Sequence, residues 1–115
     1  MVGLMERIQR LQNNIAEWSD DAFGTEDRTL GILNHLKEEV EEVIEAKNNY
    51  EEDPTGLTQQ RMASEFADCL ILILDAARKS DLNTDLLLQA AEHKMQINRS
   101  REWKPANEQG YHKHK

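Results

Sequence analysis

Apolar residues recur along this chain at three- and four-residue intervals, and strand-like alternation is nearly absent, the mark of amphipathic helices. Leu4, Ile8, Leu11 and Ile15 stand one turn apart in succession and predict a first helix over about residues 4–18. A second is predicted over about 26–50, with Thr25 as its cap. A third follows over about 57–79, after the breaker Asp53-Pro54-Thr55-Gly56. The fourth covers about 84–101, capped by Asn83 or Thr84. Pro105 ends regular helix, and residues 105–115 read as a C-terminal coil. Short connections between long amphipathic helices make antiparallel neighbours. The expected fold is therefore all-α, a four-helix antiparallel bundle forming one domain over residues 1–115.

Composition agrees with this. A length of 115 residues suits one core, and 5% aromatics with two prolines argue against a sandwich or barrel. The longest apolar run, Cys69 to Leu74, is far too short to span a membrane. The opening MVGLMERIQR meets charge at once, so no signal peptide is expected. Cys69 is the sole cysteine. No intrachain disulfide or cysteine-based zinc site can form, and a reducing cytoplasmic setting fits. A net charge of −8 makes duplex nucleic acid an unfavourable partner. That charge is uneven: residues 93–115 carry +4 and the rest −12. An acidic body with a basic end suits a phosphate chain with its divalent cation, although a solvated basic tail has the same composition.

The acidic residues sort by helix face. On the second helix Leu33, Leu36, Val40, Val43 and Ile44 make the apolar stripe, while Glu38, Glu41 and Glu45 fall on the far side. Glu39 and Glu42 lie at the stripe's edge, one turn after His35. The third helix is apolar over roughly 200° of its circumference, which predicts that it is mostly buried. Its remaining sector holds Glu65, Asp68, Leu72 and Asp75. A carboxylate at Asp68 in such a setting needs an ion pair, a hydrogen bond, a proton or a metal. Few cations are well placed to pair with it, since Arg61, Arg78 and Lys79 stand at the ends of the segment. Glu39 and Glu42 facing Glu65 and Asp68 would form an all-oxygen site suited to Mg²⁺ or Mn²⁺. No glutamate precedes a histidine by three residues, which argues against a bundle-core di-iron site. On the fourth helix Lys94, Asn98 and Arg101 share one stripe able to hold phosphate oxygens. Trp103 follows them, and Trp18 stands near the first connection; either indole can stack a base or simply pack.

Glu38-Glu39-Val40-Glu41-Glu42 and Glu65-Phe66-Ala67-Asp68 resemble the paired Glu-Glu-x-x-Glu and Glu-x-x-Asp motifs of the MazG-like all-α nucleoside triphosphate pyrophosphohydrolases. Four segments are similar to the dATP/dGTP pyrophosphohydrolase-like branch: Trp18 to Gly24, His35 to Glu39, Ala67 to Leu72 and Lys94 to Trp103. The resemblance covers nearly the whole chain. It implies a homodimeric or homotetrameric bundle that cleaves nucleoside triphosphates to the monophosphate and pyrophosphate in nucleotide pool control. It also implies Mg²⁺ on Glu39, Glu42, Glu65 and Asp68, with Glu38 and Glu39 catalytic. Glu38, further round the helix, would serve beside the ligands, on another metal, or as a base for water. Substrate would be held by His35, Lys94, Asn98, Arg101, Trp103 and Trp18. A non-catalytic nucleotide- or metal-binding module and a helical interaction domain are the rival classes.

Overall fold

The structure, a computed structural model, describes residues 3–115; the first two positions of the 1–115 span lie outside it. Its helices are α1 Leu4–Phe23, α2 Thr29–Glu52, α3 Gly56–Lys79 and α4 Thr84–Ser100. Among the described residues the chain is thus all-α with four helices, as the periodicity requires. It divides into two compact units, Met1–Asp85 and Leu86–Lys115.

In the first unit, α1 runs a full turn beyond its expected end at Trp18. The extra turn holds Ser19, which is completely buried, and Asp20, which ion-pairs with Arg78 of α3 at 2.9 Å. Tertiary contact extends the helix where apolar periodicity has already stopped. Gly24 ends it, at φ 90° and ψ 171°, a region that only glycine enters without strain. Its N–H donates to the Asp20 carbonyl at 2.9 Å.

The second helix begins at Thr29 rather than near Glu26, and Thr25 does not cap it. Lys79 Nζ donates to the carbonyls of Thr25 (3.3 Å) and Glu26 (3.0 Å), drawing that stretch onto α3. Asp27 instead receives the Thr29 N–H at 3.0 Å and its hydroxyl at 2.6 Å. These bonds hold the Asp27 carboxyl below its ordinary range. The α2–α3 connection is short, so the two helices form an antiparallel pair. Thr55 and Thr58 cap α3 reciprocally: each backbone N–H donates to the other's hydroxyl, at 2.9 and 3.1 Å. The far end of α3 closes with Asp81 at φ 63° and a Leu82 N–H bond to the Ala77 carbonyl at 2.9 Å, the left-handed cap of a helix terminus.

The buried apolar side chains are few: Ile15, Ile32, Leu74, Ala76 and Ala77. Beside them lie four buried polar residues, Gln12, Ser19, Asp75 and Thr84. Each of the four is satisfied. Gln12 Nε2 donates to the Leu74 and Leu82 carbonyls, and Gln9 Oε1 accepts from the N–H and hydroxyl of Thr84. Ser19 Oγ donates to Asp75 at 2.8 Å and accepts from Arg28 at 2.8 Å.

The third helix is not mostly buried, contrary to the expectation from its apolar circumference. Only Leu74 to Ala77 are buried; Met62, Cys69, Ile71 and Leu72 are half-buried, and Phe66, Leu70 and Ile73 are exposed. The core gathers where the end of α1 crosses α3, and the N-terminal half of α3 extends past it.

In the second unit, the chain after α4 turns back on itself. Trp103 and His114 form an antiparallel bridge, and Lys104 N–H donates to the Lys113 carbonyl at 2.8 Å. The turn is closed by Gly110 at φ 86° and by Asn107, whose side chain accepts from the N–H groups of Gln109 and Tyr111.

Candidate metal centre and nucleotide cleft

Two helix pairings in the first unit create the candidate site. Glu39 comes from α2, one turn after His35, and Glu65 and Asp68 come from consecutive turns of α3. A carboxylate oxygen from each of the three lies within 4.8 Å of the others. Burial pushes the Glu65 carboxyl above its ordinary value, reinforced by the charges of Asp68, Glu42, Glu39 and Glu45. Burial and the charges of Glu39, Asp68 and Glu65 likewise raise the Cys69 thiol. A thiol raised in this way is a poorer nucleophile than a free one.

The fit to a divalent cation can be judged from the donors. All are hard oxygens, they converge from two helices, and burial together with the neighbouring negative charges raises Glu65. Among the described residues no lysine or arginine forms an ion pair with any of the three. Arg78 and Lys79, two of the cations at the ends of the segment, are engaged elsewhere: Arg78 with Asp75 and Asp20, Lys79 with Asp20. The cluster is able to coordinate a divalent cation.

A cleft of about 420 Å³ opens beside it, lined by Leu11, Asn14, Ile15, Trp18, His35, Glu39, Asp68, Ile71 and Leu72. Its wall is mainly apolar, with a few polar groups, the usual chemistry of a small-molecule site. His35 Nε2 and Glu39 Oε1 are hydrogen-bonded at 3.0 Å. Trp18 meets Phe23 edge to face at 5.4 Å, and the Arg28 guanidinium lies 5.3 Å from the Phe23 ring centre. A second, polar cleft of about 200 Å³ lies along the same helix pair, lined by Glu42, Glu45, Ala46, Asn49, Thr58, Arg61 and Glu65.

The expected residues are distributed as follows. Glu39, Glu65 and Asp68 are brought together, and Trp18 and His35 share the cleft with two of them. Glu42 lies beside Glu65 in the polar cleft, outside the three-carboxylate group. Glu45, assigned by the helix wheel to solvent, also lines that cleft. Glu38 is exposed and lines neither. Lys94, Asn98, Arg101 and Trp103 lie in the second unit. There the Trp103 indole N–H donates to the Asn98 carbonyl at 3.1 Å. Sequence reasoning missed Asn14, although its one-turn spacing from Trp18 on α1 was available as a signal. It also missed the buried acid: Asp75, with Arg78 and Ser19, occupies the setting that apolar neighbours suggested for Asp68.

Fold and site together define an all-α protein with an oxygen-only cluster able to take a divalent cation, set beside an apolar cleft. The family model described as dATP/dGTP pyrophosphohydrolase matches residues 11–115, and the chain belongs to that family, within the MazG-like group. Membership supports hydrolase activity, and the acidic cluster is consistent with nucleoside triphosphate pyrophosphohydrolysis in general. Searches of curated proteins and of solved structures gave no match. Among the described residues no helix is long and apolar enough to cross a membrane.

Proposed function

We propose that this protein hydrolyses (deoxy)nucleoside triphosphates, dATP and dGTP among them, to the monophosphate and pyrophosphate, acting in nucleotide pool control. The observation that carries the reading is the convergence of Glu39, Glu65 and Asp68 beside a cleft that also holds Trp18 and His35. Glu39, Glu65 and Asp68 would hold Mg²⁺, or Mn²⁺, with Glu42 alongside. The cation supplies charge neutralisation for the triphosphate and Lewis acidity at the attacked phosphorus.

The chain's own residues do the rest. Glu39, hydrogen-bonded to His35, accepts a proton from the attacking water, with Glu38 one position before it on α2 as a second base. Trp18 offers the base a stacking face. Lys94, Asn98 and Arg101, with Trp103, form a stripe in the second unit whose cationic and amide groups suit phosphate oxygens. The cytoplasm is the expected setting. Self-association as a dimer or tetramer would cover the exposed Phe66, Leu70 and Ile73 of α3.

The test is a panel of nucleoside triphosphates with Mg²⁺, with products resolved by anion exchange. Monophosphate and pyrophosphate are expected. Diphosphate and orthophosphate would overturn the reaction assigned, and nucleotide binding without turnover would favour a non-catalytic module.

A further inference from the structure

We propose that Arg28, which lies outside the lining of the apolar cleft, is a positioning residue: through the ring of Phe23 it holds the Trp18 indole as a wall of that cleft. Its consequence for substrate rests on the nucleotide reading above.

Trp18 and Phe23 are both exposed, at 55% and 58%. A side chain so placed keeps its rotamer freedom unless something beyond its own helix restrains it. The restraint can be followed inward from the cleft. Trp18 meets Phe23 edge to face, with ring centres 5.4 Å apart, a favoured aromatic geometry. Helix periodicity does not supply this contact, because neighbours on a helix surface are three or four residues apart and these two are five apart. The Arg28 guanidinium lies over the Phe23 ring, 5.3 Å from its centre, a cation–π contact. The same guanidinium is anchored behind the ring. Its Nη2 donates to Ser19 Oγ at 2.8 Å and reaches the Ser19 and Gly24 carbonyls at 3.4 Å. Ser19, completely buried, donates in turn to the buried Asp75. A continuous path thus joins the core of the first unit to an exposed indole at the cleft. Arg28 keeps this position at a cost. Its Nε is buried and, among the described residues, has no hydrogen-bond partner, a penalty that a side chain turned to water would avoid.

The experiment reads Trp18 directly. Arg28→Ala, Phe23→Leu and the double variant are compared on a Trp103→Phe background, where Trp18 is the one tryptophan left. Fluorescence anisotropy and acrylamide quenching report its freedom, and urea denaturation checks folding. Kinetics with Mg²⁺ and nucleoside triphosphates are run on the same substitutions with Trp103 retained. Either single substitution should lower the anisotropy and raise the quenching. The double variant should do no more than the larger single one, because both act along one path. KM should rise about two- to tenfold, the scale of an aromatic pair's contribution, with kcat unchanged, as for a contact that binds substrate without entering the chemistry. Should Arg28→Ala fail to fold, Arg28→Lys takes its place. It keeps the charge beside Ser19, loses the flat face against the ring, and should loosen Trp18 as well. Trp18 unmoved by either single substitution, or additive effects in the double variant, overturns the proposal. A loosened Trp18 with wild-type KM overturns its consequence for substrate. If Trp18 loosens as expected but the wild type neither binds nor cleaves any nucleotide, the nucleotide reading fails and the positioning role stands. Cleavage with Trp18 unmoved gives the converse.

Discussion

Two acids on neighbouring helices, Asp68 and Glu41, contrast a carboxylate of the acidic cluster with one outside it. Both are exposed, but Asp68 converges with Glu39 and Glu65 at the cleft, whereas Glu41 lines neither cleft. Asp68→Asn keeps the side-chain shape and removes one charge from a repelling group. Activity should fall by orders of magnitude and Mg²⁺ should bind more weakly, while metal-free stability holds or rises because like-charge repulsion is relieved. Glu41→Gln should leave activity and stability near wild type. Urea denaturation of both variants, with and without Mg²⁺, checks this. An Asp68→Asn protein that is badly destabilised without metal yet active when folded would count against a metal role for Asp68.

The elements are locked where the end of α1 meets the end of α3. Arg78 Nε donates to Asp75 at 2.8 Å, and its other nitrogens grip Asp20, while Ser19 bonds the far oxygen of Asp75. Asp75→Ala removes the buried centre of this network. The expected loss is about 3 kcal/mol, at the low end for an orphaned buried ion because Arg78 keeps Asp20. Chemical denaturation measures it. The same contact predicts a pH dependence. The hydrogen bond from Arg78 holds the Asp20 carboxyl below its ordinary value, aided by the charges of Arg78 and Lys79 and opposed by burial. A depressed carboxyl contributes stability that is complete above the ordinary carboxylate range and is lost as pH falls through its folded value. Glu65, raised, acts in the opposite sense: its ionisation destabilises the fold as pH rises. Asp20→Asn should therefore be less stable than wild type at neutral pH and should converge on it in acid. A constant gap in urea midpoints from neutral to acid pH would remove Asp20 from that account.

For the molecule as a whole, the small buried core stands against a long list of exposed apolar side chains on α1, α2 and α3. Association that buries Phe66, Leu70 and Ile73 should appear as a dimer or tetramer in sedimentation, and Phe66→Glu should shift it toward monomer. A wild-type chain sedimenting as a monomer at micromolar concentration would remove self-association from the reading. Nucleotide with Mg²⁺ should raise the melting temperature through mass action, by about 2.7 kcal/mol of stabilisation at one hundred times the dissociation constant.

Periodicity alone determined that this chain is helical and where its four helices lie, because amphipathic spacing and turn residues act locally. It also separated Glu39 from Glu41 on α2 and grouped Glu65 with Asp68 on α3, since one turn of helix brings such residues onto one face. The tertiary structure decided what a helix wheel cannot. A wheel gives the direction of a side chain around the axis, not its depth along it. Asp68 and Asp75 share a sector of α3, yet Asp75 lies under the end of α1 and is buried, while Asp68 stands open at the cleft. The same crossing carried α1 beyond Trp18, delayed the start of α2 and set Asn14 beside Trp18, His35 and the carboxylates. Each of these depends on which helix covers which length of another, a matter of contacts between residues far apart in the chain.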